Sequence, residues 1–314
     1  ADPVFGPGHF ASYMNPRTVD WLERSRRSTG PRAGVIAMDY AGDPDHAGDA
    51  LIHAAIAQNR YARDIPRWVG SRNDGGGIAA ADIDGNGIPD LIMLSIDHPA
   101  SGGNQGYYRV GLDLDRDGKV ARWLDERAIP WLGGHQQGGG ITTADMNGDG
   151  TPDLIVFLID NPSGENKGYY RIGYLNQDGT PDYWTGAKRV PGWIGAESDG
   201  AGIAVADINR NNIPDLILLS IDAPSGDNQG YYRIAFDLDE HGDPARWLDP
   251  RKIPWRGAHQ QGGGLAVADL DGNGEPEMIV FMIDNPSGEN QGRYRIGRDL
   301  SSSGIVAEWK DFKG

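Results

Sequence analysis

The stretch GGGIAAADIDGNGIPDLIMLSIDHPASGGNQGYYR, residues Gly75–Arg109, decides how the chain is organised. A run of small residues leads into the acidic loop Asp82–Asp90, which is followed by the apolar run Leu91–Ile96 and, after a polar segment, by Tyr107–Arg109. The loop has side-chain oxygens at its positions 1, 3, 5 and 9 and a glycine at position 6. Hard cations such as Ca²⁺ take oxygen ligands, and the carbonyl of position 7 adds one more. Because the short apolar flanks favour strands, the pattern predicts a calcium loop within a β-hairpin.

This loop occurs four times, with the same spacing of oxygen-bearing residues. The candidate metal ligands are Asp82, Asp84, Asn86, Ile88 and Asp90; Asp145, Asn147, Asp149, Thr151 and Asp153; Asp207, Asn209, Asn211, Ile213 and Asp215; and Asp269, Asp271, Asn273, Glu275 and Glu277. A single loop of this composition can be a solvated turn, because Asp, Asn and Gly are common turn formers. Four loops in register favour calcium instead, and we expect three to four Ca²⁺ ions.

The third loop departs from the other three. It has only two carboxylates, Asp207 and Asp215, with Arg210 at position 4 and Asn212 in place of the glycine at position 6. Asparagine tolerates the left-handed backbone conformation, so we expect the turn to survive. The smaller negative charge predicts that the third site is the weakest or is empty.

The repeat around these loops has a period of about 62 residues, and two tryptophan series mark it. Trp68, Trp131, Trp193 and Trp255 begin the copies, and Trp123, Trp184, Trp247 and Trp309 end them. Each copy has the pattern of four short strands, at 77–82, 90–96, 107–113 and 120–124 in the first. This organisation is typical of propeller blades. We therefore predict a mainly all-β chain with a four-bladed β-propeller of four-stranded antiparallel blades over 68–314. The predicted blades are 68–130, 131–192, 193–254 and 255–314, which either close as one ring or pair between two chains as eight blades.

The first 67 residues lack the repeat and have a different pattern. A helical pattern over Pro16–Arg27, an apolar strand pattern over Ala33–Tyr40 and an amphipathic helical pattern over Asp49–Tyr61 predict a short α/β segment before the propeller. One such unit cannot cover both faces of a parallel strand, so the segment is incomplete as a domain.

Charge and composition exclude several classes of partner. The formal net charge is −16, and the first 67 residues contain equal numbers of acidic and basic residues, so the whole excess lies in the repeats. An acidic surface argues against nucleic acid and against a bare anionic membrane. There is no apolar run long enough for a transmembrane segment. Cysteine is absent, so no disulfide stabilises the fold.

The four acidic loops resemble the FG-GAP/VCBS repeats of integrin α-subunits and of bacterial and fungal propeller proteins. The resemblance spans 68–314 and includes all four loops, and in that family such loops bind calcium. It departs in blade number, since integrin propellers have seven blades.

A second resemblance concerns residues ~9–60. The run His9–Arg17, the strand Gly34–Tyr40 and the segment Ala50–Asn59 look like the C-terminal end of a bacterial phosphatidylinositol-specific phospholipase C barrel. The resemblance matches Asp39 to the aspartate that orients a catalytic histidine. The rest of such a barrel, ~250 residues in total, is absent from this sequence. The resemblance thus implies either a remnant or part of a phosphodiesterase whose missing barrel is a separate partner, and it leaves enzymatic activity open.

Two polar loops are candidates for ligand contact. They supply Asp160, Glu165 and Asn166 in one copy and Asp284, Glu289 and Asn290 in another, beside Pro-Ser-Gly turns. Carboxylate and amide groups on loops of a rigid scaffold are typical of binding sites, although loops that only hydrogen-bond themselves have the same composition. The chain is therefore predicted to be a calcium-binding, lectin-like binding or scaffold module for a glycan or protein ligand. The resemblances imply that it is secreted, at the end of a phospholipase-C-like protein.

Overall fold

A computed structural model describes residues 65–66, 76–96, 105–116, 118–130, 139–160, 167–192, 201–221, 229–254, 263–284 and 291–310. The chain divides into two compact units, and the unit formed by Pro66–Asp115 and Val120–Gly314 holds every described strand. The predicted α/β segment, with Asp39, lies outside the described residues except for 65–66. The tryptophans that begin the copies, Trp68, Trp131, Trp193 and Trp255, also lie outside them.

The described residues form nineteen strands and no helix, grouped in four sheets. The first sheet contains β1 (Gly76–Ala81), β2 (Asp90–Ile96), β3 (Gly106–Leu114), β4 (Val120–Trp123) and β5 (Arg127–Ile129). The second contains β6 (Gly139–Ala144), β7 (Asp153–Asp160), β8 (Lys167–Leu175), β9 (Pro181–Trp184) and β10 (Lys188–Arg189). The third contains β11 (Ala201–Ala206), β12 (Asp215–Ile221), β13 (Gly230–Leu238), β14 (Pro244–Trp247) and β15 (Arg251–Ile253). The fourth contains β16 (Gly263–Ala268), β17 (Glu277–Asp284), β18 (Gln291–Leu300) and β19 (Val306–Lys310).

Each sheet is an antiparallel meander of four strands, as the repeat predicts, and the four sheets are the blades of a β-propeller. In the first blade the order is β1-β2-β3-β4, and Ala79 lies opposite Ile92, which lies opposite Val110. The first three blades also have a short strand that the sequence did not predict (β5, β10 and β15), which pairs with the third strand of the blade. The predicted four-bladed antiparallel propeller is confirmed.

Residues that alternate along each strand face the two neighbouring blades, so the core consists of three layers between sheets. Between blades 1 and 2, Ile92, Leu94 and Val110 pack against Leu154 and Val156. Equivalent layers join blade 2 to blade 3 and blade 3 to blade 4. In blades 2 and 3 both faces of the second strand are buried, so these strands are continuous apolar runs and do not alternate with polar residues.

The third strands of blades 1 to 3 contain the Tyr-Tyr-Arg runs Tyr107–Arg109, Tyr169–Arg171 and Tyr231–Arg233. The second tyrosine of each run connects its blade to the next one. The Tyr108 hydroxyl donates a hydrogen bond to the Gly179 carbonyl at 3.0 Å, and Tyr170 donates to Gly242 at 2.7 Å. Tyr232 donates to the carbonyl of Gly304 at 3.0 Å. The acceptor glycines lie in the turn between the third and fourth strands and have positive φ. At Gly242 an added Cβ would lie 2.3 Å from the Ile172 side chain, so the close approach of the blades requires glycine there.

Three of the four tryptophans at the ends of the copies pack in the same interfaces. Trp184 meets Tyr108 edge-on with ring centroids 6.1 Å apart, and Trp247 meets Tyr170 at 6.1 Å. The distance between Trp309 and Tyr232 is 6.3 Å. These indoles fill space between blades, which agrees with a packing role rather than sugar stacking.

Two of the arginines in these runs, Arg109 and Arg233, have described hydrogen-bond partners, and both have a structural role. Arg109 donates from Nε to the carbonyl of Leu124 at 2.9 Å and from Nη1 to the carbonyl of Pro66. Arg233 donates from Nη1 to the carbonyls of Pro191 and Gly192, the latter at 3.1 Å. Both guanidinium groups thus hold the segment that enters their own blade. Their regular recurrence reflects this backbone contact.

We expect Tyr170→Phe to lower the free energy of unfolding by about 1–2 kcal/mol, because the buried carbonyl of Gly242 loses its donor. Tyr169→Phe, on the other face of the same strand, is the matched control and should change the stability by less than ~0.5 kcal/mol. Urea unfolding followed by tryptophan fluorescence measures both. Equal effects of the two substitutions would contradict this role of the interblade hydrogen bond.

Candidate metal-binding loops

The carboxylate at position 1 of each loop holds the loop backbone around itself. Asp82 accepts hydrogen bonds from the backbone N–H groups of Asn86 at 3.0 Å and Gly87 at 2.7 Å. Asp145 and Asp207 accept the same two bonds from positions 5 and 6, whereas Asp269 accepts the N–H groups of positions 4 and 6, Gly272 and Gly274. Position 6 has a positive φ in every loop, including a φ of 65° at Asn212. The expectation that asparagine preserves the third turn is therefore confirmed.

The carboxylate at position 9 is buried and ties three strands of its blade together. Asp90 is fully buried at the start of β2. It accepts hydrogen bonds from the N–H of Ile83, just after β1, and from the N–H of Asp113 in β3, both at 2.8 Å. Asp153 makes the same pair of bonds in the second blade, and Asp215 does so in the third. These aspartates therefore fix the loop relative to the sheet.

Burial makes the negative charge at position 9 costly. Desolvation raises the pKa of Asp153 to about 6, hydrogen bonds from Met146 and Leu175 oppose the shift, and the charges of Asp149 and Asp145 add to it. Desolvation also raises the pKa of Asp90 and Asp215. A bound cation would act in the opposite direction, because its charge favours the ionised carboxylate.

In two loops the structure brings three carboxylates together. Asp82, Asp84 and Asp90 each place one oxygen within 4.8 Å of the others, and so do Asp269, Asp271 and Glu277. No other set of three or more Asp, Glu or His side chains converges in this way among the described residues. In the second loop, Asp149 instead accepts a hydrogen bond from the side chain of Asn147 at 2.8 Å.

The fourth loop contains a buried oxygen without a hydrogen-bond partner. Glu277 replaces the aspartate found at position 9 of the other loops and is 2% exposed. Its Oε2 accepts the N–H of Leu270 at 2.7 Å, whereas its Oε1 accepts no hydrogen bond in the described structure. An unpaired buried carboxylate oxygen is costly, so the donor set fits a cation that would bind this oxygen.

Three of the blades have a further acidic residue beside the loop, which the loop spacing does not predict. Asp113, Asp237 and Asp299 lie near the ends of β3, β13 and β18 with φ between 52° and 57°. Their Oδ1 atoms accept hydrogen bonds from the asparagine at position 5 of the adjacent loop. Blade 2 has Leu175 at this place and an aspartate, Asp149, at position 5. Each blade thus has one further carboxylate beside position 5, which lies in the loop in blade 2 and on the third strand in the other three. The spacing of the loop residues alone does not reveal this relation.

The predicted ligand-contact residues fall at the limit of the described structure. Asp160 and Asp284 are the last residues of β7 and β17, so they lie at the same end of the second strand in two blades. Glu165, Asn166, Glu289 and Asn290 lie outside the described residues.

The sequence of the chain is similar to parts of integrin α chains. No family model matches the chain. It is 30% identical over 247 residues to integrin alpha-PS5 of Drosophila melanogaster, which covers 74% of this chain and 24% of the integrin. It is 28% identical over 151 residues to integrin alpha-7 of Homo sapiens, covering 46% of this chain and 12% of that protein. The chain therefore spans a quarter or less of the relatives that it matches.

Two solved structures align with this chain at TM-scores below 0.5. A triple arginine-to-alanine mutant of AofleA from Arthrobotrys oligospora matches with a TM-score of 0.48 and 11% identity, over 73% of this chain and 54% of that one. The V. cholerae biofilm matrix protein Bap1 matches with a TM-score of 0.33 and 17% identity, over 77% of this chain and 41% of that one.

The integrin relatives and the four blades support FG-GAP-like repeats, whereas the comparisons give no support to the phospholipase C resemblance. Among the described residues there is no helix with the length and apolar character needed to cross a membrane.

In calcium-free buffer with chelator, we expect Asp215→Ala to lower the free energy of unfolding by about 2–4 kcal/mol. The substitution removes the hydrogen-bond acceptor of the N–H groups of Ile208 and Asp237, and the N–H of Ile208 is buried. Asp207→Ala is the matched control, since Asp207 also accepts two backbone N–H groups, but at an exposed site. Chemical denaturation measures both, and an effect of Asp207→Ala as large as that of Asp215→Ala would contradict the role of burial.

Proposed function

We propose that the propeller, residues 68–314, is a calcium-binding module that acts outside the cell and presents its loops to a protein or glycan ligand. Residues 1–67 form a separate segment in this proposal. One observation carries the calcium assignment: two loops bring three carboxylates together, and one of these has a buried oxygen without a hydrogen-bond donor. Carboxylate, amide and carbonyl oxygens without nitrogen or sulfur ligands favour Ca²⁺ over transition metals.

In each loop the side chains at positions 1, 3, 5 and 9 and the carbonyl at position 7 would hold the ion. The ion would supply positive charge beside a buried carboxylate and link the loop to the second strand, so its role is structural. In the first blade, Asp113 holds the amide nitrogen of Asn86, which orients the amide oxygen of this residue. The third loop remains the weakest site in the proposal, because Asp207 and Asp215 are its only carboxylates and Asp237 lies outside the loop.

The ligand surface is proposed for the ends of the second strands, where Asp160 and Asp284 begin the polar loops that continue to Asn166 and Asn290. Loops that connect the strands of a rigid scaffold are common positions for binding sites. Similarity to integrin α chains supports a protein ligand, and the carboxylate and amide composition of the loops is equally suited to a glycan.

Chelator should lower the melting temperature of the chain, and calcium should restore it. At a hundredfold excess over Kd, each site adds ~2.7 kcal/mol to the stability. Glu277→Gln should reduce the calcium-dependent part of the shift, because it removes one of three converging charges. Glu240→Gln, at a turn remote from the loops in sequence, is the control. Melting curves with calcium, magnesium and chelator measure the effect. A melting temperature that does not respond to calcium would contradict the assignment.

We expect immobilised protein to bind at least one ligand on arrays of glycans and of extracellular proteins in calcium, with weaker binding in chelator. The double variant Asp160→Ala/Asp284→Ala should lose most of this binding while it keeps the calcium-dependent melting temperature. Asp178→Ala, in the turn between β8 and β9, should bind as the unmodified chain does. Absence of binding on both arrays would contradict a recognition role and leave a scaffold role.

A further inference from the structure

Three interfaces between consecutive blades have the same construction. We call the face of a blade that packs on the following blade its forward face, and the opposite face its back face. The forward face contributes a large apolar residue from the second strand and the tyrosine of the third strand. These pairs are Leu94 with Tyr108, Phe157 with Tyr170, and Leu219 with Tyr232. All six side chains are almost fully buried. The back face of the following blade contributes the residue at the third position of its first strand and a tryptophan of its fourth strand.

The forward face of blade 4 has equivalent residues, but among the described residues no blade packs against it. Phe281 and Tyr294 lie opposite each other in β17 and β18, at the positions of Phe157 and Tyr170. Phe281 is 44% exposed and Tyr294 is 52% exposed. Ile279 and Ile296 beside them are half-buried, although their counterparts in the other blades are buried. This surface is the unused half of the interblade contact.

The back face of blade 1 is the complementary unused half. Ile78 of β1 is 65% exposed, whereas Ile141 and Ile203 at the same place in blades 2 and 3 are buried. Leu91 and Met93 of β2 are only half-buried, in contrast to their counterparts Leu154 and Val156. Trp123 holds the position of Trp184, Trp247 and Trp309, which meet the tyrosine of the preceding blade.

The first strands of the blades show where the packing stops. In the described structure β1 packs against β6, β6 against β11, and β11 against β16, but there is no comparable packing between β16 and β1. One chain therefore exposes both halves of an interface that it makes three times internally. Exposed apolar surfaces of this kind mark interaction sites.

We propose that a second copy of this chain covers both faces. The forward face of blade 4 in each copy packs on the back face of blade 1 in the other copy, so that two chains form a ring of eight blades. The contact is head-to-tail, and such a contact generates a closed ring when its rotation closes. Tyr294 then meets the partner's Trp123, as Tyr232 meets Trp309 within one chain. The proposal concerns assembly and is independent of the calcium and ligand assignments.

Sedimentation equilibrium of the 314-residue chain in calcium should give a dimer. Phe281→Asp and Ile78→Asp should each give monomers, with the dimer Kd raised by at least about a hundredfold, because each buries an unpaired carboxylate in both contacts of the ring. Ile305→Asp is the matched control, because Ile305 is 44% exposed in the turn before β19 and outside both faces. This variant should remain dimeric. Circular dichroism spectra and melting curves verify that all variants are folded.

Mixing the two monomeric variants tests the head-to-tail geometry. Each variant keeps one unmodified face, so an equimolar mixture of Phe281→Asp and Ile78→Asp should form a 1:1 heterodimer through a single intact contact. A monomeric unmodified chain, a ring of three or more copies, or a dimer that either substitution leaves unchanged would overturn the proposal. A mixture that stays monomeric would overturn it as well.

Discussion

A buried carboxylate at the start of the second strand is the constraint on which each blade depends. Asp90, Asp153 and Asp215 each accept one N–H from the acidic loop and one from the third strand, so they connect three strands at a single point. Burial raises the pKa of all three groups, which means that the fold places negative charge where water cannot stabilise it. The remaining acids of the loop lie around that charge. A cation at this point would stabilise the sheet and the loop together.

The blades are joined by a second repeated contact that does not depend on the acidic loops. The tyrosine hydroxyl, the turn glycine and the tryptophan of the next blade recur at three interfaces with nearly the same distances. Each unit buries its apolar faces only against its neighbours, as in other repeat proteins. Stability within a blade and stability between blades therefore come from different residues.

Much of this architecture could be predicted from the sequence because it is periodic. The strands of the first blade lie within one residue of their predicted bounds, and three of the four tryptophans at the ends of the copies pack between blades. Asp113, Asp237 and Asp299 could not be predicted, because their role depends on a positive φ and on a contact with a loop more than twenty residues away. The unpaired oxygen of Glu277 could not be predicted either. A glutamate at position 9 carries the same charge as the aspartate of the other loops, and it differs only in where its longer side chain places the carboxylate.

We propose that the acidic loops hold metal ions in the folded chain. Isothermal titration of the chelator-treated protein with calcium tests this proposal, because it gives the number of ions bound. We predict three or four ions per chain, with the weakest affinity at the third loop, so that Asp207→Ala leaves the number of tight sites unchanged. Saturation with fewer than three ions, or no heat of binding at ~1 mM calcium, within the range of weak extracellular sites, would contradict it.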